Sequence, residues 1–166
     1  MQQPIKHCYW VVAGKLLAGE YPRTLVEESS KKKLQKLVDS GIRVFVDLTE
    51  KNEGLLPYSP LLVGAVHKRF PIRDVSVPQK FELTTKILDT IDHHLEKGEP
   101  VYVHCWGGVG RTGVIIGCWL ARHGLGGKAA LERLGELWRQ CPKSHHRNSP
   151  ETTQQVRYIC DWEARR

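Results

Sequence analysis

No run of about 18 apolar residues occurs anywhere in the chain, so a membrane-spanning helix is not expected. The opening MQQPIKHCYWVVAGK lacks the uninterrupted apolar core of a signal peptide, and a soluble cytoplasmic protein is the expectation. Cysteine is sparse. The five thiols, Cys8, Cys105, Cys118, Cys141 and Cys160, are odd in number, widely spaced and contain no Cys-x-x-Cys pair. That argues against both a disulfide framework and a zinc site, and for a reducing compartment. His93-His94 and His145-His146 are adjacent pairs rather than i, i+4 pairs, so they do not readily converge on one ion. No metal and no other cofactor is expected. There is no internal repeat and no low-complexity segment.

What is present must therefore hold itself together by burial. A chain of 166 residues with 40% hydrophobic content suits one domain, 1–166, which hides roughly 70% of the surface its unfolded chain exposes. A net charge of +7 and a pI near 9.3 favour anionic partners without identifying them. The basic run Lys31 to Lys33 reads as a solvated helix face.

Residues 10–13 and 15–18 are short apolar stretches around Gly14 and read as a hairpin. Ser29 or Ser30 caps a helix through Val38, stopped by Gly41. IRVFVDLT, 42–49, is a continuous apolar run of strand length, as a buried parallel strand requires. Residues 50–64 form an irregular loop, and AVHKRFPI, 65–72, alternates as a strand. From Phe81 to Lys97 apolar residues recur at helical spacing. PVYVHC is the next strand, and helices follow at 113–123, 128–139 and 150 to about 164, the last with Ser149 as cap and Pro150 in its first turn. This order predicts an α/β fold: a central, mainly parallel sheet of about five strands with helices on both faces. Ligands in such sheets sit at the carboxyl ends of strands.

HCWGGVGRTG, 104–113, occupies that position. Gly108, Gly110 and Gly113 spell the G-x-G-x-x-G dinucleotide fingerprint, but no strand with a terminal acidic residue follows, and Glu132 lies within a helical pattern. A nucleotide P-loop needs glycine at 105 and lysine at 111, where this chain has Cys105 and Arg111. A third reading uses every residue of the turn. Its glycines permit a curl in which the amides of Trp106, Gly107, Gly108, Val109, Gly110 and Arg111 form an anion-binding nest at a helix start. Cys105 lies beneath that nest, where the amide dipoles and a guanidinium favour a thiolate. Arg111 supplies a planar fork for two phosphate oxygens.

His104-Cys105-x5-Arg111-Thr112 resembles the signature of the cysteine-dependent protein tyrosine and dual-specificity phosphatases. SPETTQQ, near the C-terminus, resembles a segment of their small atypical members. The resemblance implies Cys105 as nucleophile, Arg111 as the phosphate clamp and an acid on a loop about thirty residues upstream. Asp74, in the Pro-bounded RDVSVP and 31 positions before Cys105 (74 to 105), fits that place. Asp47, closing VFVDLT, is the competing carboxylate. The resemblance also implies that Thr112 donates to the cysteine sulfur, a hydroxyl that could also cap the helix, that His104 backs the loop, and that Gln155 places the attacking water. Arg147 is a candidate second cation for substrate, and Trp106 and Tyr58 are candidates for an aromatic rim.

The loop carries no lysine, which argues against inositol lipid substrates, and Trp106 stands where resemblance to phytases would put a glutamate, which argues against phytate. The expected activity is hydrolysis of phosphotyrosine in phosphorylated proteins, with phosphoserine and phosphothreonine open, by a monomer. An RNA 5′-triphosphatase with the same chemistry is the second reading, although no RNA-binding motif accompanies it. A phosphate-binding module without turnover is the third.

Overall fold

Each central strand is apolar on both faces, and the alternation of its side chains decides the architecture. The structure, a computed structural model, describes residues 1–162. Five strands, β1 (Cys8–Val12), β2 (Leu16–Gly19), β3 (Val44–Asp47), β4 (Val66–Arg69) and β5 (Val101–His104), form one sheet in the order β1-β2-β5-β3-β4. β1 and β2 pair antiparallel as a hairpin, and β2, β5, β3 and β4 run parallel. The expected α/β sheet is found, with mixed pairing confined to the β1 edge.

The helices are α1 (Glu27–Asp39), α2 (Phe81–Glu96), α3 (Arg111–Leu120), α4 (Gly127–Trp138) and α5 (Thr153–Cys160). Leu17, Phe45 and Tyr102 point to the face covered by α1, against its Leu34 and Leu37. Leu16, Ala18, Val44, Val46, Val101 and Val103 point to the other face, against residues of α2, α3, α4 and α5. A strand buried on both sides needs no polar face, which explains its unbroken apolar run. Each fully buried Leu, Ile or Val contributes roughly 1.5–3 kcal/mol. α3 is buried along its whole length, so it serves as the central post of the helical layer.

Several boundaries differ from the sequence expectations. The hairpin strands begin earlier than residue 10, at Cys8, and the second ends at Gly19. Ser29 and Ser30 lie inside α1, whose N-cap is Val26; Ser30 is spent on Thr24, accepting from its amide and donating to its carbonyl. α3 starts at Arg111, two residues before the expected start. Neither Ser149 nor Pro150 belongs to α5. Ser149 Oγ donates to Val109 O, the Ser149-Pro150 peptide is cis, and Thr152 caps the helix in a reciprocal box with Gln155. The expected end of that helix near 164 lies outside the described residues. Among the described residues, no helix is long and apolar enough to cross a membrane.

Candidate active site

The four parallel strands deliver their carboxyl ends to one side of the sheet, and each exit carries a chemically useful residue. Glu20 follows β2, Glu53 lies in the loop after β3, Asp74 follows β4, and Cys105 to Arg111 follow β5. Cys105, Arg111, Asp74 and Glu20 line one cavity of about 420 Å³, together with Trp106, Gly107, Val109, Gly110, Lys143 and Arg147.

The loop from Cys105 to Gly110 is pinned on all sides. Gly108 has a φ of 73°, and a Cβ there would collide with the Gly19 backbone, so both conformation and space require glycine. Tyr21 N donates to Trp106 O at 2.8 Å, Lys143 Nζ to Gly107 O at 2.7 Å and Ser149 Oγ to Val109 O at 2.6 Å. Three of the loop's carbonyls are thus held by donors from other segments. Cys105 is 3% exposed and unoxidised to disulfide.

Arg111 is fully buried and heavily engaged. Its Nη1 and Nη2 donate to the two Glu53 oxygens at 2.5 and 3.0 Å, Nη1 also donates to Ile72 O, and Nη2 lies 3.1 Å from Asp74 Oδ1. Burial alone would weaken its proton affinity, but the Glu53 hydrogen bond and the field of Cys105 raise it further, so the guanidinium is always charged. Its Nε has no partner among the described residues. Asp74 is 45% exposed at its side chain and sits in an open loop, where its Oδ1 accepts from Val75 N. Val75 follows at a φ of 55°, an uncommon conformation for a β-branched residue.

Behind the loop, His104 Nδ1 donates to Cys105 O at 3.0 Å, since a carbonyl can only accept. Its Nε2 therefore accepts from Tyr58 Oη at 2.7 Å in the neutral ring. Burial holds the imidazole below its ordinary pKa, against the opposing field of Asp47. His104 thus fixes the loop through its backbone and makes no hydrogen bond to the sulfur.

The remaining candidate residues fall in different places. Tyr58 is 1% exposed and packs against Tyr21, Phe45, His67 and His104, so it cannot form the rim. Trp106, 60% exposed, stands there alone among the aromatic candidates. Thr112 does not cap the helix, because the N-cap is Gly110, and its buried hydroxyl has no hydrogen-bond partner among the described residues, the Cys105 sulfur included. Asp47 faces away from the cavity: it accepts from Thr49, His67 and Arg69. Burial would raise its pKa, but those bonds and the field of His104 hold it far below the usual carboxylate range. Gln155 is buried; its Oε1 caps the start of α5 and its Nε2 donates to Ser76 O, tying that helix to the Asp74 loop. Arg147 lines the cavity and pairs with Glu151. Glu53, Glu20, Glu151 and Lys143 were not singled out by sequence reasoning: the sheet order brings Glu20 and Glu53 to the loop, and the segment between α4 and α5 brings Lys143 and Glu151.

A family model described as "Tc-R-P: Polymorphic toxin system, DSP-PTPase phosphatase" matches residues 21–125, nearly two thirds of the chain. The chain belongs to the DSP-PTPase phosphatase family. Among curated proteins, it is 36% identical over 114 residues to "Putative tyrosine phosphatase 067L" of Invertebrate iridescent virus 3, covering 66% of this chain and 44% of the viral one. The uncharacterised protein MJ0215 of Methanocaldococcus jannaschii is 29% identical over 92 residues, or 55% and 52% of the two chains. The chain thus spans about half the length of the curated relatives it matches. In fold it is similar to the active form of Tk-PTP, with 26% identity, a TM-score of 0.73 and coverage of 96% and 97%. The kinase associated phosphatase is also similar in fold, at 18% identity and a TM-score of 0.75 over 99% and 97% of the two chains.

Proposed function

We propose that this chain hydrolyses phosphomonoesters through a cysteinyl-phosphate, with phosphotyrosine in proteins as its preferred substrate and phosphoserine and phosphothreonine as slower ones. The observation that carries this reading is the convergence of Cys105, Arg111 and Asp74 on one cavity of about 420 Å³ from two separate strand exits. The Cys105 thiolate attacks phosphorus in line, the S–P bond forms as the ester P–O bond breaks, and Asp74 gives its proton to the departing oxygen. Water then attacks the same phosphorus, the S–P bond breaks to return the thiolate, and Asp74 takes the water's proton. The nest amides and the Nε of Arg111 hold the equatorial oxygens in both steps, where charge is greatest. Glu53 takes the Nη1–Nη2 edge of the guanidinium, so it orients the fork while leaving Nε free for phosphate.

The preference for an aromatic ester rests on Trp106 and Val75, two exposed apolar side chains that line the cavity. They suit the faces of a phosphotyrosine ring better than the short stem of phosphoserine. Turnover of para-nitrophenyl phosphate and of phosphotyrosine and phosphothreonine peptides tests the proposal. Cys105→Ser should abolish all three, and Trp106→Ala should raise KM for the tyrosine peptide more than for the threonine peptide. Turnover that survives Cys105→Ser would refute the mechanism, and equal losses with Trp106→Ala would refute the rim.

A further inference from the structure

Outside the catalytic cavity, the strongest concentration of one charge lies along α1. Ser29, Lys32, Lys33 and Lys36 fall on one helix face by their three- and four-residue spacing. With Lys6 and the buried Ile5 they line a shallow groove of about 350 Å³ whose one acidic member is Glu20. Four ammonium groups against one carboxylate is an unfavourable arrangement for an isolated fold, because like charges four apart on a helix repel. Lys6, Lys32 and Lys36 form no ion pair among the described residues, whereas Lys31, on the neighbouring face, pairs with Glu27.

The groove is continuous with the catalytic cavity through a single residue. Glu20 lines both. One of its oxygens accepts from Lys33 Nζ at 2.6 Å, and the other from Lys143 Nζ at 3.1 Å, while Lys143 also donates to Gly107 O of the phosphate loop. Burial would raise the Glu20 pKa, but Lys33 and Lys143 lower it on balance, so the carboxylate is ionised and tethers both cations. The two ammonium groups share one carboxylate, so two to three residues of extended peptide, at about 3.3 Å each, span them.

Resting on the phosphatase reading above, we infer that this basic groove binds the acidic segment flanking the phosphorylated residue of a protein substrate. An incoming row of carboxylates passes Lys143 and Lys33, which Glu20 already pairs, and reaches Lys32, Lys36 and Lys6, whose charges have no ion-pair partner among the described residues. The groove's lining contains no aromatic residue. Single-stranded nucleic acid is held chiefly by stacking on such rings, so an acidic peptide fits better than RNA.

The test compares a phosphotyrosine peptide flanked by aspartates with one flanked by serines, on the wild-type chain and on Lys32→Glu/Lys36→Glu. Both substitutions are exposed, place a good helix former in α1 and lie outside the catalytic cavity. The wild type should turn over the acidic peptide at least about tenfold more efficiently in kcat/KM at low salt, with the gap closing as salt is raised. The double variant should lose that preference while hydrolysing para-nitrophenyl phosphate as before. Equal efficiency for the two peptides, or a preference that survives the charge reversal, would overturn the inference. So would faster turnover of a triphosphate-ended RNA that the same variant abolishes, since the groove would then serve nucleic acid. Binding of both peptides to Cys105→Ser, read by fluorescence anisotropy, separates the groove from the chemistry. Charge-dependent binding without wild-type turnover keeps the groove and removes the phosphatase reading; turnover without charge-dependent binding does the reverse.

Discussion

The phosphate loop and the Asp74 loop face each other across one cavity, yet they are built on opposite principles. Residues 105–110 are held by bonds to three of their carbonyls, by a glycine wedged against the Gly19 backbone and by His104 behind Cys105. The Asp74 loop hangs between Pro71 and Pro78, with Asp74, Val75 and Arg73 exposed, and is tied to the rest by Gln155 on Ser76 and by the Arg111 pair. A group that stabilises charge gains from being fixed beforehand, because reorganisation at the moment of reaction would cost what the field supplies. A group that carries a proton must meet a leaving oxygen and then a water, and an open loop allows that. Substitutions in the first region should therefore lower stability and activity together, and those in the second should lower activity alone.

The largest joint effect is expected at Gly108→Ala, where a side chain meets the Gly19 backbone at a positive φ. It should destabilise the fold by about 2 kcal/mol or more and lower kcat at least about a hundredfold, measured by chemical denaturation and steady-state kinetics. Asp74→Asn should lower kcat by roughly 10²–10⁴ with the midpoint of denaturation unchanged. A loss of stability as large as that of Gly108→Ala would erase the contrast. Glu53→Gln sharpens it from the other side. Removing the charge beside a buried guanidinium should cost about 3 kcal/mol, since Arg111 would be left partly uncompensated, and kcat/KM should fall about tenfold.

Smaller still is the pH effect of the buried His104. Its pKa is depressed on folding, so the unfolded chain binds the proton more readily. The stability it contributes is complete above about pH 6.5 and is lost as pH falls toward its folded value. Thermal melts should show Tm declining from about pH 7 to about 5.5, with a shallower decline in His104→Gln. The least effect is expected at Val75→Gly, which relieves a strained φ but frees the chain: stability should change by no more than about 1 kcal/mol, with kcat reduced severalfold as the Asp74 loop loosens.

The contrast also decides what could be read without the structure. Cys105, the glycines and Arg111 are neighbours in sequence, so the turn that joins them is a local matter, and a strand before and a helix after place it. Asp74 was legible because its distance from Cys105 and its prolines matched a family pattern. Glu53 and Glu20 were not, because their meeting depends on β5 lying between β2 and β3, and Lys143 was not, because it arrives on the turn after α4; no local spacing encodes either. Tyr58 was misplaced for a related reason. A tyrosine in an irregular loop reads as a surface aromatic, whereas here the loop folds back over β3 and the ring fills the space between Phe45 and His104. Ser149 and Pro150 resemble a helix start locally, but Thr152 and Gln155 satisfy the first-turn amides better as a reciprocal cap.

The most direct measurement is rapid-quench mass spectrometry of the chain mixed with excess para-nitrophenyl phosphate, followed by peptide mapping. The cysteinyl-phosphate mechanism requires a phosphoryl group on Cys105 during turnover, absent from Cys105→Ser. Steady turnover with no phosphorylated protein at any time, or with the phosphoryl group on another residue, would contradict it.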